Sequence, residues 1–80
     1  MEDLKKVFFE YEGKLKNTHT KDDLDHLKTL LFGKNGKINQ LFKKLPEIDL
    51  QEKKKYASEL NILKNKISNL INKKYSDLEI

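Results

Sequence analysis

The sequence predicts an all-α protein: an antiparallel two-helix coiled-coil hairpin, over about residues 20–45 and 50–75, with a short N-terminal helix over about 2–16. Three observations predict it. Apolar residues recur at helical spacing along almost the whole chain. Charged residues (38%) outnumber hydrophobic ones (36%), and the 80-residue chain has only three glycines and one proline, which suits solvent-rich helices better than a sandwich or barrel. The single proline, Pro46, separates two apolar stretches of equal length, as the connection of a hairpin would.

The first helix is predicted from Leu4, Val7, Phe8, Tyr11 and Leu15, which share one stripe. Glu2 and Asp3 stand at its start and Lys14 and Lys16 at its end, the sense the helix dipole favours. So short a helix is marginal alone and must pack on something. Most of this stripe is expected to be core, although Val7, Phe8 and Tyr11 could serve as a docking face for another chain, because so small a domain covers its apolar surface poorly. Asn17, Thr18 and His19 connect it to the next element. Thr20 is an N-cap residue with Asp23 three positions on. The second helix then carries Leu24, Leu27, Leu30, Leu31, Ile38, Leu41, Phe42 and Leu45, and Pro46 stops it. Asp49 and Glu52 read as a capping box opening the third helix, whose seam is Tyr56, Leu60, Leu63, Ile67 and Leu70.

Gly33 and Gly36 interrupt the second stretch. The reading adopted is a helix that runs through them, with room for a kink, because Leu24, Leu31, Ile38 and Leu45 are spaced seven apart across the pair. Residues 20–45 then match the third helix in length. Antiparallel pairing would set Leu45 against Leu50, Leu31 against Leu63 and Leu24 against Leu70, with the small glycines letting the partner helix approach. Burial along such a seam, about 1.5–3 kcal/mol per large side chain, outweighs the roughly 1 kcal/mol that each glycine costs in a helix. The first helix is expected to lie across the open end of this rod.

Composition excludes more than it selects. With no cysteine there is no disulfide and no thiolate metal site. His19 and His26 stand seven apart, without metal-ligand spacing. Gly33-Lys34-Asn35-Gly36-Lys37 is not a phosphate loop, since Ile38 follows the lysine and no strand precedes it. No catalytic residue can be named. The longest apolar run, Leu30-Leu31-Phe32, is far short of the roughly 20 residues of a membrane span, and the acidic start lacks a signal-peptide core. A cytoplasmic location is the simple expectation.

Charge is more informative. All 17 basic residues are lysines, which meet phosphate as hydrated point charges without arginine's bidentate fork. They are unevenly placed: residues 32–74 hold eleven lysines against four acids, whereas residues 1–31 hold six against seven. Lys43 and Lys44 close one helix of the hairpin and Lys53, Lys54 and Lys55 open the next, so the fold should gather all five at the tip. Cations near a helix N-terminus oppose the dipole, so the second group breaks a local rule; composition leaves two readings open, a solvated charge run and a phosphate-binding tip. Adding the two lysines of the glycine segment, the candidate nucleic-acid contacts are Lys34, Lys37, Lys43, Lys44, Lys53, Lys54 and Lys55.

The order of signals carries a family resemblance. Leu24-Asp25-His26-Leu27, Leu31-Phe32-Gly33-Lys34-Asn35-Gly36, Leu45-Pro46 and Glu59-Leu60-Asn61-Ile62-Leu63-Lys64 together resemble the N-terminal domain of the bacterial phenylalanyl-tRNA synthetase alpha subunit, over essentially the whole chain. Asn35 departs from the lysine usual at that place; Lys34 is the one lysine the resemblance supports individually. The resemblance implies a helical arm, residues 1–75, that helps hold tRNA(Phe), with residues 76–80 starting the link to a catalytic domain outside this chain. It implies a class II parent of two alpha and two beta subunits that uses ATP and Mg2+ to charge tRNA with phenylalanine. The chain itself would carry no cofactor and no catalysis. The competing expectation is a protein–protein coiled-coil adaptor with no nucleic-acid role.

Overall fold

The computed structural model describes residues 3–78, and these form four α-helices and one turn of 3-10 helix. They are α1 (Leu4–Lys16), α2 (Lys21–Phe32), α3 (Lys37–Lys43), the 3-10 turn (Leu45–Glu47) and α4 (Leu50–Leu78). The molecule is a rod of 46 × 19 × 16 Å. α4 sets its length: 29 residues at 1.5 Å each span about 43 Å. α2 and α3 return along it. Their antiparallel sense is fixed at both ends, where the Tyr75 hydroxyl donates a hydrogen bond to Asp25 and the Lys64 ammonium lies 6.0 Å from the centre of the Phe42 ring. The Asp25 carboxylate, as acceptor of that bond, pushes the Tyr75 hydroxyl pKa above its ordinary value.

The starts of α1 and α2 follow the residues that predict them. Asp3 accepts from the Lys5 amide at 3.0 Å to cap α1, and Thr20 accepts from the Asp23 amide at 3.1 Å to cap α2. The Asp49 carbonyl accepts from the Lys53 amide at 2.8 Å and so closes the first turn of α4. Glu2, expected to aid the dipole of α1, lies outside the described residues. Of the expected linker, residues 76–78 continue α4 without interruption and the last two residues lie outside the described span.

The hairpin is as expected, but its first limb is not one helix. α2 ends at Phe32, Gly33 takes an extended conformation (φ −65°, ψ 172°), and the Gly33 carbonyl accepts from the Gly36 amide at 2.8 Å to close a four-residue turn before α3. A helix end leaves carbonyls without partners, and here they are supplied. The Gly33 amide donates to the Thr29 carbonyl at 2.9 Å. The Asn39 side chain donates to the Gly33 carbonyl at 2.7 Å, and Gln40 to the Asn35 carbonyl at 2.8 Å. The break therefore loses little hydrogen bonding and avoids holding two glycines in a helix. The apolar phase survives it, since Leu24, Leu31 and Ile38 are all buried.

The glycines are needed for space, though the neighbour is their own chain and not α4. A Cβ on Gly36 would sit 2.5 Å from the Leu31 carbonyl oxygen and 2.9 Å from the Gly33 nitrogen. Both are backbone atoms, so the turn itself would have to open. Gly36→Ala is expected to destabilise the fold by about 1–3 kcal/mol, the usual cost of overpacking, read as a lower midpoint in urea. An unchanged midpoint would contradict the turn.

A second difference concerns α1. It does not lie across the end of the hairpin but runs along α4, parallel to it. Phe8 and Phe9 share a cleft with Ile62, Leu63 and Lys66, and Leu15 shares another with Leu70, Lys73 and Lys74. The reason is the width of the apolar face of α4. Tyr56, Leu60, Leu63, Ile67 and Ile71 are buried and Leu70 and Leu78 pack beside them, a stripe broad enough for α2–α3 on one side and α1 on the other. Ile71, adjacent to the expected seam residue Leu70, is the more deeply buried of the two. At the tip the expected Leu45–Leu50 pair does not form. Leu50 is 81% exposed, and the 3-10 turn brings Ile48 against the core in its place, beside Leu45. Leu30, counted on the apolar face of α2, is also exposed.

Candidate nucleic-acid interface

The seven candidate lysines fall into two groups. Lys34 lies exposed in the turn between α2 and α3, and Lys37 is the first residue of α3. Lys43 and Lys44 close α3, and Lys53, Lys54 and Lys55 occupy the first turns of α4. The seven residues of α3 separate the groups by roughly 10 Å at 1.5 Å per residue.

Within the tip the lysines ring the rod and do not form one patch. Consecutive helical residues point about 100° apart. Lys53 is half-buried on the side next to Tyr56, while Lys54 and Lys55 are exposed on other sides. Among the described residues Lys34, Lys43, Lys44, Lys53, Lys54 and Lys55 pair with no carboxylate, whereas on α1 Lys14 pairs with Glu10 at 3.7 Å and Lys16 with Glu12 at 4.0 Å. Glu47, Asp49 and Glu52 share the tip, so its field is weaker than five lysines would make it.

α4 carries a further feature outside the seven lysines named from the sequence. From residue 60 to residue 76 it has no acid, and Lys64, Lys66, Lys73 and Lys74 fall in that stretch. The signal was available as a long acid-free interval, but its direction on the helix needed the packing.

Two of the residues proposed for protein docking are unavailable for it. Val7 and Tyr11 are buried in the core, and Phe8 is half-buried against α4. Among the described residues no group of three or more His, Cys, Asp or Glu stands close enough to hold a metal ion, and no helix is long and apolar enough to cross a membrane.

Comparison with known proteins places this helical rod with lysines exposed at its tip. Residues 19–80 match the family described as the N-terminal domain of class II aminoacyl-tRNA synthetases, and the chain belongs to that family. It is similar to the phenylalanine–tRNA ligase alpha subunit of Buchnera aphidicola, with 41% identity over 94% of the chain, and to that of Aquifex aeolicus, with 30% identity over 99%. The Rickettsia typhi alpha subunit is 38% identical over 85% of it. The resemblance to the N-terminal domain of the phenylalanyl-tRNA synthetase alpha subunit is thus borne out. The chain spans 23% of the length of the first two of these relatives and 20% of the third. No solved structure matches it.

Proposed function

We propose that the chain is the tRNA-binding arm of a phenylalanyl-tRNA synthetase alpha subunit, holding tRNA(Phe) through the RNA backbone. One observation supports this reading: six exposed or half-buried lysines, grouped at the tip and the mid-rod turn, form no ion pair with a carboxylate among the described residues. Such ammonium groups favour a polyanion, and with no arginine among them they offer charge without bidentate base readout. Discrimination among tRNAs then falls to the rest of the enzyme.

The wider setting follows the relatives. The parent would be a cytoplasmic class II ligase of two alpha and two beta subunits that charges tRNA(Phe) using ATP and Mg2+. Among the described residues no group of three or more His, Cys, Asp or Glu could hold a metal ion; in this reading the ATP and Mg2+ chemistry falls to the parent's catalytic domain and the arm contributes positioning.

Binding to a tRNA(Phe) transcript and to an unrelated tRNA, each at two salt concentrations, tests the reading. The expected result is similar affinity for both, weakening steeply with salt. Absence of binding at low salt would contradict it.

A further inference from the structure

Ser58, Asn61, Asn65, Asn69, Asn72 and Ser76 are all exposed on α4. At about 100° per residue they fall within an arc of about 80°, diametrically opposite the buried stripe of Tyr56, Leu60, Leu63, Ile67 and Ile71. From Ser58 to Ser76 this polar stripe runs roughly 27 Å along the helix. It has no packing role, and asparagine and serine are poorer helix formers than alanine, so six of them in line cost stability without a structural return. Of the four asparagines, only Asn61 bonds to the protein among the described residues: its amide donates to the Ala57 carbonyl at 3.1 Å and leaves the side-chain oxygen free to accept.

Lysines border the stripe on both sides. The Lys64 ammonium leans toward α3, 6.0 Å from the centre of the Phe42 ring, and that of Lys66 leans toward α1, 5.9 Å from the centre of the Phe8 ring. One lysine therefore stands on each flank. The acids at the two ends of the interval, Glu59 and Asp77, line clefts on the α1 side, Glu59 in the same cleft as Lys66, so that flank carries both signs while the arc of the stripe itself holds no acid between residues 58 and 76 other than Glu59 at its edge.

We propose that this outer face of α4 is a second contact surface for RNA, in which the asparagine stripe hydrogen-bonds ribose 2′-hydroxyls while Lys64 and Lys66 meet the phosphates on either side. The inference rests on the RNA-arm reading above and adds a chemical selectivity to it. A carboxamide both donates and accepts, as a 2′-hydroxyl does, and the shallow groove of an RNA duplex displays those hydroxyls between its phosphates. A row of neutral amides between two cations matches that order of groups. The tip lysines cannot tell RNA from DNA; this face can.

The test uses the 80-residue chain with an RNA duplex and a DNA duplex of the same sequence, at two salt concentrations. The expected result is RNA bound roughly tenfold more tightly than DNA, the yield of a few net hydrogen bonds. The variant Asn61→Ala/Asn65→Ala/Asn69→Ala/Asn72→Ala should lose that preference and keep the salt dependence. Alanine favours the helix at all four positions, so the variant should melt no lower than the wild type, and a lost preference cannot be ascribed to unfolding. Wild-type binding without preference for RNA, or a variant that retains the preference, overturns this proposal and leaves the arm reading standing. Failure of the wild type to bind either duplex at low salt overturns both.

Discussion

Leu60→Ala is expected to lower stability by about 2–5 kcal/mol, the range for emptying a fully buried leucine site. Leu60 is 0% exposed on α4, in the core shared by the hairpin and α1. A domain this small has little stability to spare. At roughly 4–8 °C per kcal/mol for its size, the melting temperature should fall by at least about 8 °C, and the variant should be partly unfolded at physiological temperature. The paired control is Leu50→Ala. A continuous seam would have buried Leu50 against Leu45 and made both substitutions costly. With Leu50 left in solvent, its removal should change stability by no more than about 0.5 kcal/mol. Thermal or urea melts of the two variants separate the structures: comparable losses would restore the expected tip, and a large loss only at Leu60 fits the observed one.

Replacing Lys43, Lys44, Lys53, Lys54 and Lys55 together with glutamine should weaken tRNA binding by roughly one to two orders of magnitude at low salt and flatten its salt dependence. If all five met phosphates, the slope of log affinity against log salt would drop by roughly four. Because they ring the tip and cannot all face one backbone, a drop of roughly two to three is expected, checked by titration at several salt concentrations. All five are at least partly exposed, so the melting temperature should hardly move. Unchanged affinity would remove the tip from the interface.

Much of the fold was legible because helical periodicity is a strong signal and its punctuation is unambiguous here. The Thr20 cap and the turn at Pro46 mark the hairpin limbs correctly. The break at Gly33 was not legible, because a four-residue turn replaces roughly one helical turn and leaves Leu24, Leu31 and Ile38 in phase. Register alone cannot distinguish a helix from two helices joined in register. What decides it is the supply of hydrogen bonds from Asn39 and Gln40 to the exposed carbonyls, and nothing in their spacing announces that. The place of α1 was hidden for a related reason. A heptad seam drawn through Leu63, Ile67 and Leu70 leaves out Ile71, and with it the breadth that lets α4 serve two partners. The lysines were legible as a count and not as directions. Consecutive residues on a helix diverge, so a run that looks like a patch in sequence becomes a ring in space. The same geometry turns scattered asparagines into a stripe.

The account rests on the arm positioning RNA for chemistry done elsewhere. Its most direct test is the full synthetase with and without the residues corresponding to this domain, compared in phenylalanine activation and in tRNA charging. The account predicts unchanged amino-acid-dependent exchange of pyrophosphate into ATP, together with impaired charging through a raised KM for tRNA. Charging with an unaltered KM for tRNA would contradict it.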